Sequence, residues 1–356
     1  MYIAAFSLIK YLIQKETKSK YTDWFFIHKY PIRPDPTLYD CVGDYAWMPK
    51  INLSCPDAAA YFISVGKYWI TEFGIDGWRL DVADEVPTEF LEHFAAEIKA
   101  VSPNAILIGE TWGNANRLIR GNRLNSAMNY LFRDAAVAWL AHREITPSQF
   151  DHLANQQLAL YPREVMLRMY NPLDSHDTAR FLFDCKNNIN LYKMGVALQI
   201  TFPGCPAIFY GDEVGVTGDT DPLCRQAMEW DSQKQNPDIL AWFCALTDLR
   251  KRSVSLYEGD YRTVLCDDKS NTYGFVRSAA HESTLVIFNV GAQTCTVSLP
   301  FMGGTWQSVF LPVSGEISRS QAKQTAESFV PTEYKGQLEI ELPAYCVKIL
   351  QMKEKV

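Results

Sequence analysis

The 356-residue sequence contains no C-x-x-C pair. Its nine cysteines are scattered and odd in number, which argues against a disulfide framework and against a zinc site. That pattern suits a reducing compartment, and a cytoplasmic protein is the expectation. No G-x-G-x-x-G or P-loop pattern occurs, so neither motif points to a nucleotide, flavin or phosphate group. No basic face or Lys/Arg run suggests nucleic acid, and 34 basic side chains stand against 41 acidic ones for a net charge of −7, so nucleic acid is not an expected partner. No apolar run is long enough to span a membrane. The opening MYIAAFSLIKYLIQKE has a short apolar bias broken by Lys10, but no basic n-region and no small-residue cleavage site, so it does not read as a signal peptide. No carboxylate cluster has the spacing of a calcium loop, and neither a metal nor another cofactor is expected. Internal repeats and low-complexity tracts are also missing.

What remains is an ordinary globular composition, 47% hydrophobic and 21% charged, long enough for two domains. Aromatics are high at 13%. Residues 18–53 are loop-rich and punctuated by Pro31, Pro34, Pro36 and Pro49; a loop of that length is usually functional or a lid. Pro56 and Asp57 open a helix that Gly74 stops, with Phe62, Val65, Trp69 and Phe73 along its apolar face. A strand ending near Asp81 follows, then a helix capped by Thr88, then the apolar run AILIGET ending at Glu110. Further strands are expected near Ser126–Tyr130, Val165–Leu173 and Ala207–Glu213. Helices are expected through Ala141 and over Pro147–Tyr161, Asn188–Thr201 and Asn236–Arg252. Strands alternating with helices imply an α/β fold with a parallel sheet and right-handed crossovers. After Ser253 the texture changes to short Val/Thr/Tyr/Phe runs between turn residues, the pattern of an all-β sandwich. The expected divisions are therefore 1–53, 54–253 and 257–356.

The chemistry gathers in GIDGWRLDVADE, Gly74 to Glu85. Arg79 and Asp81 lie two apart and share one face of a strand, so the guanidinium holds the acid ionised. Asp81, Glu110 and Asp177 each fall at the end of an expected parallel strand, and in a barrel of such strands those ends converge on the active face. Retaining glycoside hydrolysis uses two carboxyls about 5–5.5 Å apart, one ionised to attack and one protonated to donate. Arg79 suits Asp81 to the first role. An apolar strand and Trp112 suit Glu110 to the second. Asp177 beside His176 is suited to binding vicinal sugar hydroxyls. Taken singly, each has a plainer reading: a structural pair closing a strand, a strand-end surface acid, a satisfied core histidine. The conjunction in this order is far more specific than any member.

GIDGWRLDVADE, ILIGETW and NPLDSHDTAR resemble three signature regions of the α-amylase superfamily. MPKIN, Met48 to Asn52, is similar to the short signature of its neopullulanase, cyclomaltodextrinase and maltogenic amylase branch, as are SKYTDWFFI and FYGDEVGVTGDTDPLCRQAMEW. The resemblance runs from about Lys18 to Arg252. It implies a (β/α)8 TIM-type barrel followed by a β-sandwich, and a retaining α-glycosidase acting on α-1,4 and perhaps α-1,6 bonds of maltooligosaccharides, cyclodextrins or pullulan. By motif position Asp81 would be the nucleophile, Glu110 the acid/base and Asp177 the transition-state stabiliser. Arg79 and His176 would be their neighbours, Trp112 a stacking ring, and Asp221 and Arg225 contacts to distal glucose units. Relatives hold calcium largely through segments this sequence lacks. The first three barrel strands and the preceding β domain, which helps relatives dimerise, have no counterpart, so a homodimer is doubtful and 1–53 reads as the remnant of a barrel-inserted loop. A partial barrel would expose long edges. A truncated or mis-started gene product is the leading expectation, with a chain closed by a second chain and a new compact fold as the others. A catalytically inactive remnant that at most binds oligosaccharide is the alternative function.

Overall fold

The computed structural model describes residues 19–43, 45–300, 303–309 and 332–353. The apolar-biased opening, residues 1–17, lies outside the described residues. The chain forms two compact units that divide between Met128 and Asn129. The change of sequence texture near Ser253 falls inside the second. Among the described residues no helix is long and apolar enough to cross a membrane.

In the first unit the loop-rich stretch is pinned by isolated antiparallel bridges, Phe25 to Ile51, Ile27 to Tyr39 and Cys41 to Pro49. Trp24, Phe25 and Tyr39 are buried in the unit's core, so much of this loop is scaffold. Helix α1 (Pro56–Phe73) starts on proline and ends at Gly74 in the left-handed conformation. Strand β1 (Gly77–Leu80), helix α2 (Thr88–Val101), strand β2 (Ile106–Gly109) and the short strand β3 (Ser126–Ala127) follow. The strands make a parallel sheet in the order β1–β2–β3, with Leu80 opposite Gly109.

Two expectations fail here. Pro87, not Thr88, precedes the first turn of α2, and no side chain caps it. The buried face of α1 is Ala58, Ile63, Gly66 and Ile70, while Trp69 and Phe73 are exposed. The reason is close approach to α2: a Cβ on Gly66 would sit 2.5 Å from the Phe94 ring. Gly66 makes that approach possible, and the large aromatics are displaced to the outside.

The second unit opens with α3 (Tyr130–Ala136), which runs into a π turn at Val137–Ala141. Helix α4 (Pro147–Leu160) begins at a capping box between Thr146 and Gln149. Strand β4 (Tyr170–Pro172) pairs in parallel with β5 (Cys205–Ala207). Between them α5 (Ile189–Thr201) is buried continuously from Leu191 to Thr201, as a helix with apolar residues on every side should be. Helix α6 (Pro237–Arg252) is capped by Asn236 and ends in Arg250, Lys251 and Arg252, where cations oppose the helix dipole. The expected strand over Val165–Leu173 shortens to β4 because Pro162 starts a one-turn helix at Arg163–Met166. The strand expected over Ala207–Glu213 ends at Ala207, since Gly211 turns the chain at φ 90° into a helical turn at Asp212–Val214.

After α6, helix α7 (Val254–Glu258) leads into strands β6 (Asp260–Asp267), β7 (Thr272–Ala279), β8 (Glu282–Asn289), β9 (Cys295–Leu299), β10 (Thr305–Ser308), β11 (Glu333–Lys335), β12 (Leu338–Leu342) and β13 (Cys346–Lys353). Six form an antiparallel sheet, β11–β10–β13–β8–β7–β6, and β9 pairs with β12. Val276, Leu285, Ile287, Val297, Leu299, Ile340 and Leu350 fill the space between. Trp139 ties this domain to the helices: it stacks on Phe150 of α4 at 4.2 Å and meets Tyr273 of β7 edge-on at 5.4 Å.

Candidate active site

The first site group grows from two neighbouring strand ends. Leu80 and Gly109 are paired in register, so the residues that follow them, Asp81 and Glu110, leave the sheet side by side. The Glu110 N–H donates to the Leu80 carbonyl at 2.9 Å, and the Ala83 N–H donates to the Glu110 carbonyl at 3.0 Å, which extends the ladder past the strands. Arg79 points to the same side as Asp81, as strand alternation requires. Its guanidinium forks between the two acids: Nη1 donates to Asp81 Oδ1, and Nη2 lies 2.7 Å from Glu110 Oε1.

The two acids differ in setting. The Asp81 side chain is 41% exposed, and that of Glu110 is 5% exposed. The second Glu110 oxygen accepts from the Val82 N–H at 2.8 Å. Val82 reaches that position in the left-handed region, at φ 44° and ψ 51°. A β-branched residue pays roughly 1–3 kcal/mol for such a conformation, which persists only where its surroundings enforce it. The apolar surround expected for Glu110 is therefore incomplete, because donors meet both of its oxygens. Trp112, two residues on, is half exposed.

The second site group lies in the other unit. Asp177 stands five residues beyond the end of β4, in a turn rather than directly at a strand end. Its N–H donates to Ser175 Oγ at 3.1 Å, and the Ser175 hydroxyl also meets Tyr130 Oη at 2.9 Å. His176 Nε2 lies 3.1 Å from Asp177 Oδ2, and Arg225 Nη2 lies 2.9 Å from Asp177 Oδ1. Arg225 also donates from Nε to the His176 carbonyl at 2.8 Å and pairs with Asp221 at 3.2 Å. Asp177, His176, Asp221 and Arg225 thus form one cluster, as Arg79, Asp81 and Glu110 form another. The two clusters belong to different compact units.

Sequence reasoning missed two participants. Val82 carries no signal of its backbone conformation. Arg180, in the same SHDTAR run as Asp177, is fully buried and bonds the loop that carries Arg225; a charged residue directly before the apolar FLF was the available sign. All nine cysteines are free thiols. Among the described residues no group of three or more His, Cys, Asp or Glu is arranged to hold a metal ion.

The family profile "Alpha amylase, catalytic domain" matches residues 9–244. Neopullulanase 2 of Thermoactinomyces vulgaris is 38% identical over 83% of this chain and 51% of its own length. A cyclomaltodextrinase of Geobacillus thermopakistaniensis is 34% identical over 90% of this chain and 54% of its own. The intracellular maltogenic amylase of Bacillus subtilis is 37% identical over 81% and 49%. A solved cyclomaltodextrinase structure superposes with a TM-score of 0.86 at 33% identity, covering 96% of this chain and 57% of that one. The chain spans about half the length of the curated relatives it matches.

Proposed function

The chain belongs to the α-amylase family, and on that premise we propose that it is a retaining α-glycosidase hydrolysing α-1,4 glucosidic bonds, and α-1,6 bonds as a second substrate class. Its catalytic portion is of the TIM-barrel type, with a β-sandwich domain after it. The observation that carries the reading is the Arg79 fork, which brings one exposed and one buried carboxyl together at register-matched strand ends.

In the first step an Asp81 oxygen attacks the anomeric carbon. The glycosidic C–O bond breaks, and the leaving oxygen takes the proton held by Glu110. The proton sits on Oε1, from which Arg79 Nη2 withdraws when Glu110 is loaded for donation, and Oε2 keeps the Val82 N–H. In the second step water gives a proton to the Glu110 carboxylate while its oxygen displaces Asp81 from the sugar. A sugar hydroxyl in place of water gives transglycosylation by the same route. Asp177, held by His176 and Arg225, is assigned to the sugar hydroxyls and the developing positive charge, Trp112 to stacking, and Asp221 to a more distant glucose unit. Carboxyls and water suffice, so no organic cofactor is assigned. The substrates are maltooligosaccharides, cyclodextrins or pullulan, in keeping with relatives named cyclomaltodextrinase and neopullulanase. A location inside the cell accords with the relative named intracellular maltogenic amylase.

Purified protein is expected to release glucose, maltose or panose from these substrates and to lose turnover in Asp81→Asn; full rate in that variant excludes the mechanism. The competing reading is a chain that binds oligosaccharide without cleaving it, and the similarity to named glycoside hydrolases does not favour it. Calorimetric binding of maltotriose with no hydrolysis over days is its signature.

A further inference from the structure

We infer that Arg180 is a positioning residue for the Asp177 carboxylate, acting through the loop that carries Arg225. Its side chain is wholly buried, and its donors run to three places. Nε donates to the Cys224 carbonyl at 2.9 Å, Nη1 to the Tyr210 carbonyl at 2.7 Å, and Nη1 also to Asp212 Oδ1 at 3.0 Å. The guanidinium lies over the Phe209 ring at 3.9 Å. Cys224 is therefore fixed from inside. Arg225, the next residue, is the one that reaches Asp177 Oδ1 and the His176 carbonyl. Cys224 closes the same circuit through its own thiol, which donates to the His176 carbonyl at 3.3 Å.

The turn itself is clamped at its base. Asp174 Oδ2 accepts the Phe181 N–H at 2.6 Å, so the segment from Ser175 to Arg180 is a closed loop bearing His176 and Asp177 on its outer side. Two carboxyls and one guanidinium are buried together here, at 2% exposure for Asp174 and 5% for Asp212. Both carboxyls are pushed up, first by desolvation, and Asp212 well above the ordinary range with Asp174 as the next cause. Asp174 Oδ1 has no hydrogen-bond donor. One proton shared in the side-chain hydrogen bond between the two acids leaves the triplet neutral, the condition under which buried charge is tolerated.

The kinetic consequence rests on the glycosidase reading; the geometric one does not. R180K keeps the charge but cannot reach all three acceptors in the fork geometry. With maltotriose it is expected to lower kcat by roughly 10- to 100-fold, the scale of a small misplacement at a reacting centre. In an R225A background the same change should cost less than about threefold, because both act on Asp177 by one route. An equal cost in both backgrounds overturns the inference. D212N keeps an oxygen to accept from Arg180 Nη1, adds an amide donor toward Asp174 and leaves the Arg180 contacts to Cys224 and Tyr210 intact, so its kcat should stay within about threefold of the parent's; a loss as large as that of R180K, or as large as that of R180M where R180K does not fold, also overturns it. A crystal structure of R180K reads the contact directly. Loss of the 2.9 Å contact between Arg225 and Asp177 is expected, and its retention refutes the role. That structure decides the matter even if the parent chain has no turnover, an outcome that defeats the glycosidase reading alone.

Discussion

Among the described residues, two groupings of one arginine and two acids are put to opposite uses. Arg79, Asp81 and Glu110 stand at strand ends, with the Asp81 side chain 41% exposed and the arginine 33% exposed. Arg180, Asp174 and Asp212 are enclosed, with the arginine side chain at 0%. The ingredients are the same, and access to solvent separates them. An accessible carboxylate with a guanidinium on one side keeps its other face for a substrate carbon. A pair of acids sealed around an arginine must instead neutralise itself, and its remaining hydrogen bonds go to carbonyls of the surrounding loops. The first arrangement is suited to covalent chemistry and the second to holding a turn in place.

The largest test of this contrast is Asp81→Asn, which removes the attacking oxygen while leaving the amide in place. Turnover of maltotriose is expected to fall by about 10⁴-fold or more, as for loss of other members of a covalent catalytic set. A small loss would mean that the accessible triplet is structural as well. Glu110→Gln should follow at roughly 10²–10⁴-fold on maltooligosaccharides. Its deficit should shrink on aryl glucosides whose leaving group needs no proton, and a uniform deficit argues against the acid role.

In the enclosed triplet the expected damage is to stability. Asp212→Ala removes one acceptor from Arg180 and the hydrogen-bond partner of Asp174, leaving Asp174 as the remaining counter-charge, and should cost about 1–3 kcal/mol in urea unfolding. The pH dependence has a definite sign. Asp212 and Asp174 hold their protons more tightly folded than unfolded, so their contribution is complete below the ordinary value of 3.8 and is lost as pH rises through the raised folded values. The groups around them are Arg180 and Arg133 on Asp174, and Tyr192 and Cys185, themselves pushed up first by burial and then by neighbouring acids, these two included. The unfolding free energy of the parent relative to D212N should therefore decline from pH 4 upward; an increase contradicts a shared proton. The smallest effect is expected at Trp112→Ala. Loss of one stacking face is worth roughly 0.5–1.5 kcal/mol, so KM should rise by about tenfold or less with kcat kept.

The exposed triplet was legible in the sequence because its logic is local. Alternation in WRLDV puts Arg79 and Asp81 on one face, and the apolar run before Glu110 marks a second parallel strand. The enclosed triplet was not legible, since Asp174, Arg180 and Asp212 come together only through the turn after β4 and the turn at Gly211. The same limit explains the face of α1. Large aromatics at helical spacing look like core, but contact with Phe94 selects Gly66 and leaves Trp69 and Phe73 outside. Strand ends were overdrawn near Val165 and Glu213 because apolar content persists where a proline or a positive-φ glycine has already turned the backbone.

The central claim, that Asp81 forms the covalent bond, is tested most directly by trapping the intermediate with a fluorinated α-glucosyl fluoride and mapping the label by peptide mass spectrometry. The account predicts a glucosyl adduct on the peptide carrying Asp81, absent in D81N. A label on Glu110 or Asp177, or turnover with no adduct anywhere, would contradict it.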